Sequence, residues 1–119
     1  VNIVTSQLNG CRYCQSAHTA IGKMHGFSEG EILELRSGTA SFNAKYDALA
    51  RFTAEAVTNR GRATETAKQA FLDAGYNEAN LIDVVVLVGD KIISNYLHNL
   101  LGFEIDFPLA EELPQAVAV

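Results

Sequence analysis

Apolar residues recur at spacings of three and four along most of this chain, the period of helices packed on one side. Val1, Val4 and Leu8 keep that spacing from the first residue, so the chain is read as beginning inside a helix with a segment upstream of it. The turn dipeptide Asn9-Gly10 ends this helix. A second helix is predicted from Cys11 to Met24, with Ala17, Ala20 and Ile21 as packing positions and Gly26 as its stop. Ser28 and Glu31 have the spacing of a capping box, which opens a short helix to about Arg36, closed by Gly38. Between Asn43 and Thr58 the apolar positions Tyr46, Leu49, Ala50, Phe52, Ala56 and Val57 predict an amphipathic helix, with Thr53 the one polar residue on its apolar side. Asn59-Arg60-Gly61 breaks it, and Thr64 caps a further helix to Ala74 with Gly75 behind it.

Asn77 caps the last helix, which runs to about Leu101 and stops at Gly102. Within it, Val84 to Val88 is rich enough in β-branched residues to suit a buried strand. The apolar positions continue helically through Ile92, Ile93, Tyr96, Leu97 and Leu100, and no second strand is at hand to pair with, so one long helix is predicted. Its apolar run faces nearly all sides, which calls for a central position or a subunit contact. Phe103 to Pro114 reads as an extended tail with Pro108 and Pro114 as helix breakers. Tyr46, Phe52, Phe71 and Tyr96 are spaced as core residues, and Phe103 and Phe107 are expected to dock on the protein or on a second subunit. The expected fold is all-α, about six helices in a single domain over residues 1–119, without an interior linker.

Composition narrows the function classes. Of 119 residues, 48% are hydrophobic and 19% charged, an ordinary globular balance for one small domain. Small domains bury a limited share of their surface, which favours association with further copies. Nine basic against fourteen acidic residues leave a formal charge of −5, and no basic stripe is present to neutralise phosphates, so nucleic acid is not an expected partner. The apolar run Val84–Val88 falls far short of the ~20 residues that cross a bilayer, so no membrane is expected either.

Both cysteines of the chain sit in Cys11-Arg12-Tyr13-Cys14. A secreted disulfide scaffold spreads its cysteines to close long loops, whereas this pair closes almost none. No export signal is seen, and the pair is read as reactive in a reducing, cytoplasmic setting. On a helical wheel Cys11, Cys14 and His18 fall at roughly 0°, 300° and 340°, one narrow stripe. Cys14 and His18 are one turn apart, the relation an activated thiol has to its base. Cys11 and Cys14, three apart, can form a disulfide that opens and closes readily. The helix start directs unpaired N–H groups and the positive dipole end at Cys11, which favours a thiolate there, while a protonated His18 favours a thiolate at Cys14. Spacing leaves the choice between the two sulfurs open.

Two other readings compete with a redox dithiol. Small cysteines and a satisfied histidine can simply pack in a core. A zinc set of Cys11, Cys14, His18 and His25 requires His25, which lies roughly 16 Å further along a continuous helix, so no metal is expected. On the last helix, Asn95 and His98 share a face and can approach a site or a neighbouring subunit, or simply be solvated. His25 suits the closing carbonyls of its helix, and Glu29, Glu31 and Glu34 suit a helix start.

The stretch Gln7-Leu8-Asn9-Gly10-Cys11-Arg12-Tyr13-Cys14-Gln15-Ser16-Ala17-His18 resembles the alkylhydroperoxidase D-like branch of the carboxymuconolactone decarboxylase family. Cys-x-x-Cys-x-x-x-His at a helix start is the hallmark of that branch, and Cys-x-Tyr-Cys-x-x-Ala-His is similar to its peroxidase-related members. The segment after Gly26-Phe27-Ser28, the Tyr46–Val57 helix, Asn95-Tyr96 and the tail Leu101 to Pro108 extend the likeness. The resemblance implies an alkylhydroperoxidase D-like helical fold that assembles as a dimer, trimer or hexamer. It also implies reduction of a hydroperoxide substrate by the cysteine pair, which a thiol or lipoyl-type reductant then restores, with no bound cofactor. In that pattern Cys14 attacks peroxide and becomes a sulfenic acid, Cys11 condenses with it, and His18 relays the proton. Tyr13 stands where the best-known members have histidine, and the family's relay glutamate falls upstream of Val1. The decarboxylase branch lacks the cysteine pair, so its activity is not expected. The alternative is a non-enzymatic helical oligomer that senses oxidation or holds a metal.

Overall fold

The computed structural model describes residues 1–114, and among them six helices and no strand are found. They are α1 (Asn2–Leu8), α2 (Arg12–Met24), α3 (Glu29–Arg36), α4 (Ala44–Thr58), α5 (Glu65–Asp73) and α6 (Glu78–Leu101). The Val84–Val88 stretch is helical throughout, so the β-branched run follows its helical context rather than its strand propensity.

Local chemistry sets most of the boundaries. Ser28 Oγ accepts the Glu31 N–H while the Glu31 carboxylate accepts the Ser28 N–H, the reciprocal box expected at the start of α3. Asn43, Thr64 and Asn77 cap α4, α5 and α6 with side-chain oxygens. Gly10, at φ 64°, takes the left-handed conformation that turns the chain sharply from α1 into α2. Cys11 is not the first helical residue but the N-cap of α2, with extended backbone.

α1 is the hub, packing against α2, α3, α4 and α6 and burying Val4, Thr5 and Ser6. The apolar core forms where Phe52, Phe71 and Val84 meet, and Leu49, Tyr76, Leu81 and Val88 close around them. Phe71 stacks on Tyr76 at 4.3 Å and leans on Phe52 at 4.8 Å. Thr53, the polar residue on the apolar face of α4, is buried and gives its hydroxyl proton to the Leu49 carbonyl at 2.8 Å.

One expectation about burial is corrected, and for α6 one of two alternatives drops out. Tyr46 and Tyr96 have core spacing yet both are exposed, Tyr46 keeping ring contacts with Phe27 and Phe42. On α6 Val84 is buried, but Ile82, Val86, Ile93 and Leu100, which fall on one stripe of the opposite face, lie open. α6 is therefore not central in the single chain; it packs with one side and presents an apolar other side.

Candidate functional site

Cys11 and Cys14 form a disulfide across the start of α2, with Cα atoms 5.2 Å apart. The turn that delivers them is held from several directions. The Cys11 N–H donates to the Ser6 carbonyl at 3.1 Å, and the Cys11 carbonyl accepts the Gln15 N–H at 2.8 Å. Cys11 Sγ accepts the Cys14 N–H at 3.1 Å, so sulfur occupies the capping position usually taken by a hydroxyl or carboxylate. A backbone N–H aimed at this sulfur, at the positive end of α2, favours negative charge on Cys11 when the pair is reduced.

Asn95 of α6 anchors the turn from the other side. It is fully buried, accepts from Asn9 Nδ2 at 3.0 Å and donates to Ser6 Oγ at 3.2 Å. One turn on, Asn99 Nδ2 donates to the Asn9 carbonyl at 3.0 Å. Of the roles open to Asn95, approach to the turn that carries the cysteines is the one observed. His98 is likewise engaged rather than solvated, stacked on Tyr13 at 4.1 Å.

His18 stands one turn beyond Cys14 on the same stripe and is partly buried. Burial above all, and then the charge of Lys91, push its pKa down to about 4. The expected protonated partner for a Cys14 thiolate is therefore replaced by a neutral imidazole near pH 7. A neutral ring supplies no attractive charge, but it has a free nitrogen lone pair and can take a proton. In the oxidised form His18 makes no hydrogen bond to either sulfur among the described residues.

A cavity of about 420 Å³ lies beside His18, walled mainly by apolar side chains, among them Val4, Ile21, Ile32, Leu35, Leu49 and Leu87. His25 also borders it, from just past the end of an unbroken α2, and Gly22 forms part of its floor. Neither cysteine reaches the cavity wall. Both sulfur-bearing residues are sealed, Cys11 at 0% and Cys14 at 4% exposure. No group of three His, Cys, Asp or Glu side chains close enough to hold a metal ion occurs among the described residues.

Residues 1–56 match the carboxymuconolactone decarboxylase family model. The match takes in α1, α2, α3 and most of α4, hence both cysteines, His18 and most of the cavity wall, and it is consistent with the alkylhydroperoxidase D-like branch of that family. This match and the Cys-x-x-Cys disulfide are compatible with a redox function, since the matched family includes enzymes. A comparison with curated proteins finds no match for the chain. No helix of the described residues is long and apolar enough to cross a membrane.

Sequence reasoning passed over three residues that shape the surroundings of the site. Ser16, fully buried, donates to the Arg12 carbonyl and accepts the Ala110 N–H at 3.0 Å. Arg36, a buried guanidinium, donates to Gln7 Oε1 at 2.9 Å and to the Glu111 carbonyl at 2.6 Å. Asp106 accepts the Tyr13 hydroxyl proton at 2.6 Å, and this carboxylate holds the phenol above its usual pKa. The only sequence signal for any of these was an arginine in the last turn of a short helix, which ordinarily means a solvated charge.

Proposed function

We propose that residues 1–119 form one domain that reduces organic hydroperoxides at the expense of a thiol, cycling Cys11 and Cys14 between dithiol and disulfide. The observation that carries this reading is the Cys11–Cys14 disulfide at the start of α2 with a neutral His18 one turn beyond. The peroxidase-related subtype is part of the proposal and comes from the resemblance of the Cys11–His18 stretch.

In the reduced enzyme, His18 takes the Cys14 proton and the thiolate attacks one peroxide oxygen. The O–O bond breaks, the alkoxide leaves with the proton that His18 returns, and Cys14 becomes a sulfenic acid. Cys11 then attacks the Cys14 sulfur and water departs, which closes the disulfide. A dithiol reductant, thiol or lipoyl in type, restores both thiols and becomes a disulfide itself. Helix-end electrostatics suit Cys11 to this second attack, because its sulfur already receives an N–H. The setting proposed is cytoplasmic, where thiol reductants are maintained. The exposed apolar stripe on α6 supports assembly with further copies into the dimer, trimer or hexamer that the resemblance implies.

The burial of both sulfurs favours a second reading, a helical module oxidised once and not turned over. Counting turnovers separates the two. With cumene hydroperoxide and dithiothreitol in excess, many equivalents consumed per chain are expected, with none for Cys14→Ser. Cys11→Ser, reduced and then freed of dithiothreitol, is expected to consume one equivalent and leave a sulfenic acid on Cys14. A single equivalent in the unaltered protein, or full turnover by Cys14→Ser, refutes the enzymatic assignment.

A further inference from the structure

Tyr13 lies inside the short ring that the Cys11–Cys14 disulfide closes, and it is also the residue that holds the chain segment leaving α6. Its ring lies flat on His98, 4.1 Å between centroids with 11° between planes. Phe107 meets it edge-on at 5.7 Å, Phe103 meets His98 edge-on at 5.1 Å, and the Tyr13 hydroxyl is bonded to Asp106. Gly102, left-handed at φ 61°, turns the chain out of α6 so that this approach is possible. Further along, the segment is tied at Ala110 to Ser16 and at Glu111 to Arg36.

We propose that residues 103–111 form a redox-linked strap, docked on Tyr13 while the Cys11–Cys14 bond is closed and released at Asp106 and Phe107 when it is reduced. Reduction breaks the S–S bond, and two electrons and two protons from a dithiol form two S–H groups while the dithiol becomes a disulfide. Two thiols cannot stay at bonding distance, and Tyr13, between Cys11 and Cys14 in the chain, belongs to the turn that takes up their separation. A flat ring stack and a short hydroxyl–carboxylate bond tolerate little displacement. Ser16 lies beyond the ring in the body of α2 and Arg36 lies on α3, so those two anchors hold. Release is therefore local, a loop of residues 103–108 swinging from the fixed points at Ala110 and Glu111.

Linkage makes the effect reciprocal. Whatever factor docking gains in the oxidised form, the docked strap returns as resistance of the disulfide to reduction. Tyr13→Phe, which keeps the ring, and Asp106→Ala, which changes an exposed side chain, each remove the hydroxyl–carboxylate bond. Each is expected to make reduction easier by roughly fivefold, a midpoint ~20 mV less negative, when equilibrated against dithiothreitol.

The second readout is the pair of His98 ring-proton resonances. Tyr13 shifts them upfield in the oxidised chain, and they are expected to return toward the values of an unstacked histidine in the reduced chain and in a Cys11→Ser/Cys14→Ser double variant. Identical His98 resonances in both redox states overturn the strap. So does a midpoint that neither variant moves, because coupled equilibria must shift together. Both measurements use dithiothreitol without peroxide, so the inference needs only a reversible Cys11–Cys14 bond, and it fails or survives separately from peroxide turnover.

Discussion

Replacing His18 by glutamine tests the charge state on which the proposed chemistry depends. A histidine pushed from 6.5 to about 4 is depressed by about 2.5 pH units. At ~1.36 kcal/mol per unit that is about 3 kcal/mol, and partial solvent access to the ring reduces it to an effect of ~2 kcal/mol. The direction follows from which state binds the proton. As pH falls, the unfolded chain protonates His18 near 6.5, whereas the folded chain resists until near 4. The unfolded state therefore gains on the folded one through that window. Stability is complete above about pH 6.5, declines as pH drops, and levels off near 4 as far as this residue is concerned. With a urea dependence of ~1.5 kcal/mol per molar, the midpoint of the oxidised protein is expected to fall by roughly 1 M between pH 7.5 and pH 4.2 on account of His18. The assay is urea unfolding of wild type and His18→Gln across that range, compared as a difference of differences. Carboxylates such as Asp47 and Glu29, which titrate lower in the folded chain, then cancel. Parallel curves for the two proteins would refute a depressed proton affinity of His18 in the folded chain.

Two further expectations concern the frame around the site. Asn95→Ala leaves Asn9 Nδ2 and Ser6 Oγ without partners at a buried position, so a loss of ~2–3 kcal/mol is expected by urea unfolding, together with easier alkylation of reduced Cys11 as the α1–α2 turn loosens. A stability within ~0.5 kcal/mol of wild type would show that water replaces Asn95 without cost. Phe71→Ala empties the centre of the core between Phe52 and Tyr76 and is expected to cost ~3–5 kcal/mol in thermal or urea unfolding, far from the disulfide. Such a variant should keep the Cys11–Cys14 midpoint unchanged wherever it remains folded, and a shifted midpoint would mean that core and site are coupled.

Where the chemistry is local, it could be read directly from residue order. Ser28 with Glu31, Asn77 ahead of α6, and Gly102 behind it mark helix ends that the coordinates reproduce, because capping is decided by groups a few bonds apart. The pairing of Cys11 with Cys14 and their place at the start of α2 were legible for the same reason. Helical periodicity also settled the Val84–Val88 run against a strand, since the pattern on either side continued at the helical period.

What periodicity cannot carry is the identity of whatever lies over a given face. Tyr46 and Tyr96 occupy positions that look like core and turn out exposed, while Arg36 looks like a surface charge and turns out buried. The contacts that frame the disulfide join residues far apart in the chain, Asn9 with Asn95 and Tyr13 with Asp106. Both are made by packing α6 and the segment after it against α1 and α2, an outcome of summed burial across the whole chain and not of any local preference. The proton affinity of His18 belongs to the same class. Its depression depends on apolar walls and on Lys91 brought in by α6, so folding sets how readily that ring takes a proton.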